Sequence, residues 1–148
     1  MIALGSDHAG VQLKATIAEQ LRSKGIDVKD YGTYDESSCD YPDYAQKVGE
    51  AVVSGEAERG ILICGTGVGI SIAANKVPGV RAALCGDTFT ARLSREHNNS
   101  NVLCLGARVV GAGLAGDIVE AWLDGQFEGG RHQRRLDKIT DLERAPVR

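Results

Sequence analysis

Short apolar runs alternate with amphipathic helical patterns along the chain, and this alternation constrains the fold most strongly. The strands predicted from this pattern cover residues 2–4, 26–31, 60–64, 80–85 and 102–105. Between them apolar residues recur every three or four positions, the period of a helix with one buried face. Continuous apolar runs are typical of parallel strands that helices cover on both faces. The sequence therefore predicts an α/β fold with a five-stranded parallel sheet.

Connectivity limits how these elements are arranged. Right-handed crossovers between successive strands favour the strand order 2-1-3-4-5. Apolar positions predict helices over 13–21, 44–52, 70–76, 89–93 and 114–122, with Asp87 as an N-cap and a polar loop over 32–43. Residues 1–148 are enough for one domain. We expect a single domain whose last element is a basic helix.

Composition excludes several classes of protein. Hydrophobic residues make up 43% and charged residues 25% of the chain, as in ordinary globular proteins. No apolar run approaches the roughly 20 residues of a membrane-spanning helix, and the N-terminus lacks the pattern of a signal peptide. We therefore expect a cytoplasmic protein with no membrane partner. The net charge of −3 gives no reason to expect a nucleic-acid partner, although residues 131–148 are locally basic.

Polar residues follow the predicted strands at their carboxyl ends. Asp7 and His8 follow the first strand, Cys64 ends the third, and Arg108 follows the fifth. Ligands of parallel α/β sheets bind beyond this edge, where strand order reverses. We expect Asp7, His8 and Cys64 to face one crevice.

A glycine-rich segment, CGTGVG at 64–69, joins a predicted strand to a predicted helix. Glycines permit a tight turn whose backbone N–H groups can face an anion, so we favour an anion site over an empty turn. The third glycine of a dinucleotide fingerprint is absent, because position 70 is Ile, and no P-loop lysine follows. Dinucleotide and P-loop binding are therefore not predicted.

Each candidate side chain also has a purely structural interpretation. Cys64 precedes a helix N-terminus, which favours a thiolate nucleophile or base, although most cysteines are small buried residues. Asp7 and His8 suit proton transfer or phosphate contact, or Asp7 caps the following helix. His97 belongs either to a polar cluster or to an ordinary helix C-terminus. Arg131 and Arg135 lie on one helix face and suit a phosphate, unless they are merely solvated.

The four cysteines, Cys39, Cys64, Cys85 and Cys104, are far apart and form no C-x-x-C pair. Zinc and dithiol redox motifs are therefore absent, and we predict neither a metal site nor thiol redox activity. The residues considered so far indicate a small phosphorylated substrate, a candidate base and a set of backbone donors, but no particular reaction.

The motifs together resemble those of ribose-5-phosphate isomerases of the B type and their galactose-6-phosphate and allose-6-phosphate isomerase relatives. The similar segments run in order along nearly the whole chain: GSDHAG at 5–10, DYPDYA at 40–45, ICGTGVGISIAANK at 63–76, SREHN at 94–98, LGARVVG at 105–111 and EGGRHQRR at 128–135. The resemblance implies conversion of ribose 5-phosphate to ribulose 5-phosphate, in the pentose phosphate pathway, without metal or cofactor. It also implies a Rossmann-like α/β/α sandwich and a homodimer or tetramer, with the 97–98 segment supplied by the neighbouring subunit.

The resemblance also assigns roles to residues. Cys64 is similar to the base that moves a proton between C2 and C1, and this chain resembles the cysteine branch because the glutamate of the other branch is replaced by Ile70. The remaining roles are an anion hole around the enediolate (Gly65, Gly67, Val68, Gly69, Ser71), ring opening and hydroxyl contacts (Asp7, Thr66, His97), substrate contacts (Tyr41, Asn98) and phosphate binding (His8, Arg108, Arg131, Arg135).

Two other functions stay open from the sequence. A six-carbon sugar phosphate, allose 6-phosphate or galactose 6-phosphate, would need more room between base and phosphate site, which spacing does not reveal. A nucleotide-binding module without catalysis is compatible with the sheet and the glycine segment, although Ile70 argues against a dinucleotide.

Overall fold

Five parallel strands alternate with helices in the computed structural model, which describes residues 1–146. A single 3₁₀ turn, His8–Gly10, follows the first strand. The elements in chain order are β1 (Ile2–Ser6), α1 (Val11–Ser23), β2 (Val28–Asp30), α2 (Tyr41–Val53), β3 (Arg59–Cys64), α3 (Val68–Ala74), β4 (Ala82–Leu84), α4 (Thr88–Glu96), β5 (Val102–Gly106), α5 (Ala112–Asp124) and α6 (Arg131–Arg144). The predicted α/β class, parallel sheet and C-terminal basic helix are confirmed.

Helices cover both faces of the sheet because the strand side chains alternate between two apolar clusters. Leu4, Ile61 and Leu103 pack against α1, α4 and α5 on one face. Leu62 and Cys104 pack against α2 and α3 on the other face. Each central strand is thus apolar on both sides, as its continuous apolar sequence predicts. The result is the three-layered arrangement expected from the sequence.

The predicted strand order is wrong at one edge of the sheet. The observed order is β2-β1-β3-β5-β4, so β5 rather than β4 pairs with β3. Every residue of β5 is buried, whereas Leu84 of β4 is exposed and Ala82 and Ala83 are half-buried. A fully apolar strand gains most from a central position, and the shorter, less apolar strand takes the edge.

Several predicted boundaries also shift. The strand predicted over 80–85 narrows to β4, and the polar loop predicted over 32–43 ends earlier, because α2 begins at Tyr41 with Pro42 in its first turn. Pro is well tolerated there because the first N–H groups of a helix lack intrahelical partners. The N-cap role of Asp87 is confirmed by its bond from the N–H of Thr90 at 2.7 Å. Phe89, one of the apolar positions from which α4 is predicted, is exposed.

None of the helices within residues 1–146 combines the length and the hydropathy that crossing a membrane requires.

Gly106 provides a test of the packing between β5 and the glycine-rich segment. A Cβ at Gly106 would lie 2.5 Å from the carbonyl oxygen of Thr66, whereas a Cβ at Gly113 in α5 would meet nothing within 4 Å. Gly106→Ala should lower the free energy of unfolding by about 1–3 kcal/mol through overpacking. Gly113→Ala is the matched control and should be neutral or stabilising by up to about 1 kcal/mol. Urea unfolding measures both, and equal effects would contradict the packing described here.

Candidate active site

The glycine-rich segment turns sharply from β3 into α3 and directs backbone donors toward the end of the strand. Gly67 adopts a left-handed conformation, with φ of 79°, that side chains disfavour. Its N–H donates to Cys64 Sγ at 3.2 Å, and the N–H of Val68 donates to Thr66 Oγ1 at 3.2 Å. The sulfur therefore has a backbone donor that can stabilise a thiolate.

Close contacts explain the other glycines of this segment. A Cβ at Gly69 would lie 2.6 Å from Cζ of Tyr41, so the Tyr41 ring lies directly against the first turn of α3. Ser71, a predicted anion-hole residue, donates its hydroxyl to the carbonyl of Val68 at 2.7 Å. The side chain of Ser71 therefore stabilises the first turn of α3.

Asp7 and His8 lie at the carboxyl end of β1, which is the neighbour of β3. The N–H of Asp7 donates to the carbonyl of Ile63 at 3.2 Å, which holds Asp7 beside the end of β3. Asp7 is also a helix cap, as the structural interpretation predicted, because its Oδ1 accepts the N–H of Ala9 at 3.0 Å. This capping bond involves Oδ1 and leaves Oδ2 as a second acceptor.

His8 and Arg108 line one cleft of about 560 Å³ at this edge of the sheet. The N–H of Cys39 donates to His8 Nδ1 at 3.3 Å, so Nδ1 is an acceptor and Nε2 carries the proton. Arg108 lies over the glycine segment, since a Cβ at Gly65 would be 3.2 Å from its Nη1. An imidazole N–H and a guanidinium in one cleft are suited to an anion.

Cys64 differs from the deeply buried cysteines in its surroundings. Cys104 lies in the middle of β5, where burial raises the pKa of its thiol, and burial also raises the pKa of the Cys85 thiol. Both therefore stay neutral at physiological pH and act as small buried residues. Cys64 alone of these three ends a strand and accepts a backbone N–H.

A second group of predicted residues begins at the C-terminus of α4, where His97 is the C-cap. The turn that follows is held by a buried side chain: Arg95 donates through Nη1 to Asn99 Oδ1 at 3.1 Å and to the carbonyl of Ser100. Burial lowers the pKa of Arg95 to about 10, and the charges of Arg59 and Arg81 contribute. Asn99 has a left-handed φ of 46°, so the chain reverses sharply just after His97 and Asn98.

The start of α6 lies against this turn. The ring of His132 stacks on the ring of His97, with centroids 4.2 Å apart and planes inclined by 13°. Arg131 precedes this histidine, and Arg135 lies one turn further along the same helix; both arginines are exposed. Arg131 and Arg135 are thus brought to the same end of the fold as His97 and Asn98.

The candidate residues therefore form two groups, one at the carboxyl ends of the strands and one at their amino ends. Asp7, His8, Cys64 and Arg108 lie at the carboxyl ends of the strands, with Tyr41 and the glycine segment. The turn after His97 leads into the amino end of β5, where Asn101 pairs with Arg81 before β4. Five residues of β5 separate the two ends, a rise of roughly 15 Å. Within one chain the two groups do not form a single site.

Sequence reasoning missed Glu128 and gave His132 no role of its own. Glu128 Oε1 lies 3.7 Å from His97 Nε2 and 3.3 Å from His132 Nε2. Glu128 and His132 are four positions apart, but His97 lies 31 positions before Glu128 and 35 before His132, so no local spacing signals the contact of His97 with the other two. Only the docking of α6 against the end of α4 brings them together.

The fold and the two groups of residues define a doubly wound α/β protein in which the carboxyl ends of the strands carry a cysteine beside a cleft suited to an anion. Comparison with known sequences makes this class more specific, because the ribose/galactose isomerase family matches residues 2–139. The chain belongs to this family, and the resemblance drawn from its motifs is confirmed.

Individual relatives are similar over almost their full lengths. Ribose-5-phosphate isomerase B of Escherichia coli is 55% identical, over 96% of this chain and 95% of that protein. D-erythrulose-4-phosphate isomerase of Pectobacterium atrosepticum is 49% identical, over 96% and 94%. The structure of Mycoplasma genitalium ribose-5-phosphate isomerase B with bound ribulose 5-phosphate has a TM-score of 0.94 at 48% identity, covering 98% of this chain and 97% of that one.

The contact between Gly69 and Tyr41 can be tested by a double-mutant cycle. Gly69→Ala should destabilise the protein because its Cβ overlaps the Tyr41 ring. In a Tyr41→Ala background the same change should be neutral or stabilising, since alanine favours a helix over glycine. We expect a coupling energy of about 1 kcal/mol or more from urea unfolding of the four proteins. Additive effects would show that the ring does not lie on Gly69.

Proposed function

We propose that the protein interconverts D-ribose 5-phosphate and D-ribulose 5-phosphate, with Cys64 as the base that moves the proton. The observation that carries this proposal is the Cys64 thiol at the start of a glycine-rich turn, with the N–H of Gly67 on its sulfur. Ribose-5-phosphate isomerase B of E. coli, at 55% identity, supports the choice of reaction.

Ring opening precedes isomerisation, because a furanose hides its carbonyl group. In the proposed reaction His97 donates a proton to the ring oxygen as the bond from C1 to that oxygen breaks. The C1 hydroxyl loses its proton to Asp7 Oδ2, and its electron pair forms the carbonyl. Thr66 is suited to orient the hydroxyl, since its Oγ1 accepts the N–H of Val68 and keeps a proton to donate.

Proton transfer then runs through an enediolate. The Cys64 thiolate takes the proton from C2, the bonding pair forms the C1–C2 double bond, and the charge develops on O1. Preorganised N–H groups at the start of α3 are suited to stabilise this charge. A proton moves from O2 to O1, and the thiol returns its proton to C1, which gives the ketose and regenerates the thiolate. No cofactor or metal takes part in this sequence.

The phosphate supplies binding energy far from the reacting carbons. His8 and Arg108 provide donors at the carboxyl edge, while Arg131 and Arg135 are exposed at the opposite edge. A phosphate dianion held by three guanidiniums and an imidazole is well neutralised. Tyr41 and Asn98 are suited to contact the sugar from the two sides.

We propose that a homodimer, alone or paired into a tetramer, completes the site, with His97, Asn98, Arg131 and Arg135 supplied by the neighbouring subunit. The separation of the two groups within one chain supports this arrangement. Exposed apolar side chains around the glycine segment support it further, since such a surface marks an interface: Val68, Ile72 and Leu84. A symmetric dimer would form two equivalent sites.

The number of carbons in the sugar can differ among members of the family. A relative at 49% identity is a D-erythrulose-4-phosphate isomerase, and six-carbon sugar phosphates were the alternative expected from the sequence. All of these substrates use the same chemistry at C1 and C2. We further propose that residues 1–148 act as one domain in the cytoplasm, as the sequence predicts.

Cys64→Ala should lower kcat for ribose 5-phosphate by about 10²–10⁴-fold, because it removes the proton carrier. Its effect on substrate binding should be small, since the phosphate contacts remain. The measurement is isomerisation in the presence of EDTA, with erythrose 4-phosphate and allose 6-phosphate assayed in parallel.

Cys85→Ala is the matched control, because it removes a buried thiol from the opposite face of the sheet. Its kcat should stay close to the wild-type value. Unchanged turnover in Cys64→Ala would exclude the assignment of the base. If another sugar phosphate reacts in preference, the mechanism stands and the substrate is revised.

Arg135→Ala should mainly raise KM, by about 10-fold or more, because a charge-assisted hydrogen bond to phosphate contributes roughly 1.5–3 kcal/mol. Arg144→Ala is the control, since it removes the same charge from the other end of α6. Steady-state kinetics on ribose 5-phosphate distinguishes the two variants. A KM equal to that of the control would leave Arg135 as a solvated surface residue.

A further inference from the structure

A carboxylate and two imidazoles form a compact cluster at the end of α4. The rings of His97 and His132 are stacked, and Glu128 Oε1 lies within 4 Å of Nε2 of both. The proposed function uses His97 but gives neither Glu128 nor His132 a part. The cluster is therefore a feature that the mechanism does not yet explain.

The backbone holds these three residues in place. The N–H of Glu128 donates to the carbonyl of Glu96 at 3.0 Å, which attaches the segment before α6 to the last residue of α4. Gly129 and Gly130 have φ values of 68° and 55°, and this left-handed pair turns the chain into α6. The bond to Glu96 and the turn at the two glycines together place the imidazole of His132 against that of His97.

The orientation of the rings favours proton handling over metal binding. The three candidate ligand atoms lie within 4.8 Å of one another. An imidazole lone pair lies in the ring plane, so two nearly parallel rings 4.2 Å apart direct their lone pairs side by side. Lone pairs that do not converge suit a shared metal ion poorly. A carboxylate that lies near two Nε2 atoms instead fits two N–H donors.

The two histidines differ in exposure. The side chain of His97 is 36% exposed, whereas that of His132 is 7% exposed. His132 thus forms the inner support, and His97 is the ring that can meet a ligand. A carboxylate near Nε2 favours the proton on that nitrogen and leaves Nδ1 of His97 to face the sugar.

We propose that Glu128 and His132 are positioning residues for ring opening, an inference that rests on the proposed function of His97. The carboxylate of Glu128 lies 3.7 Å from Nε2 of His97, attracts that side of the ring and balances the positive charge of the acid form of His97. His132 fixes the plane of the His97 ring. The proton on Nδ1 then points toward the ring oxygen of the sugar and passes to it as the C1–O bond breaks.

Two reactions separate ring opening from proton transfer at carbon. Isomerisation of ribose 5-phosphate requires the furanose to open. Ribulose 5-phosphate is linear, because the hydroxyl that would close its ring is phosphorylated. Exchange of its C1 proton with deuterium oxide, followed by NMR, requires only the base and the enediolate. A residue that acts on ring opening alone affects the first reaction and spares the second.

The variants are Glu128→Gln, which keeps the shape of the side chain but removes its charge, and His132→Leu, which leaves an apolar side chain in place of the ring that stacks on His97. Glu120→Gln is the control, because it removes an exposed carboxylate that pairs with Lys24 far from the cluster. For both cluster variants we expect isomerisation of ribose 5-phosphate to fall by about 10–100-fold. Deuterium exchange should remain within about twofold of the wild-type rate.

Equal losses in both reactions, or no loss beyond that of Glu120→Gln, would overturn the positioning role. Circular dichroism and thermal unfolding exclude a variant that fails to fold, and Glu128→Asp then tests whether a displaced carboxylate restores part of the isomerisation. A wild-type protein that catalyses neither reaction would instead refute the proposed function. The two failures are therefore distinguishable.

Discussion

Parallel pairing of β1, β3 and β5 places the carboxyl ends of all three strands at one edge of the sheet, and the arrangement of the candidate site depends on this constraint. Whatever follows a strand lies at that edge, and whatever ends a crossover helix lies at the other. Asp7 and Cys64 follow strands, while His97 ends a helix. The topology therefore separates the proposed base from the proposed acid within one chain, which supports the proposal that a second subunit completes the site.

The glycine-rich segment places backbone N–H donors at the carboxyl ends of these strands. Gly67 permits the left-handed turn, and Gly106 permits the backbone of β5 to approach Thr66. Side chains at these positions would push the N–H groups away from Cys64, so the sequence has little freedom there. Electrostatic stabilisation of an enediolate needs donors that are fixed before the charge develops. The close packing around Gly67 and Gly106 therefore also fixes the N–H groups that the proposed reaction needs.

The sequence was sufficient to predict the strands, the helices and the residues at the strand ends, because the spacing of apolar residues and the positions of glycines reflect structure within a few residues. The predicted position of β4 next to β3 is wrong, because the prediction followed the order of the strands along the chain. Burial determines which strand is central: every residue of β5 is buried, whereas those of β4 are half-buried or exposed. The exposure of Phe89 was also missed, because a solvent-facing aromatic has the same spacing as a buried one. The cluster of Glu128 and His132 with His97 depends on the docking of α6, which no sequence period encodes.

Subunit complementation tests most directly whether the two groups combine across a dimer. The subunits of Cys64→Ala and His97→Asn, each impaired alone, would be exchanged and assayed on ribose 5-phosphate. If sites are shared, a mixed dimer has one site with both changes and one site with neither, so activity should approach about a quarter of the wild-type value at equal mixing. Activity no greater than the mean of the two separate variants would contradict a shared site and place all catalytic groups within one chain.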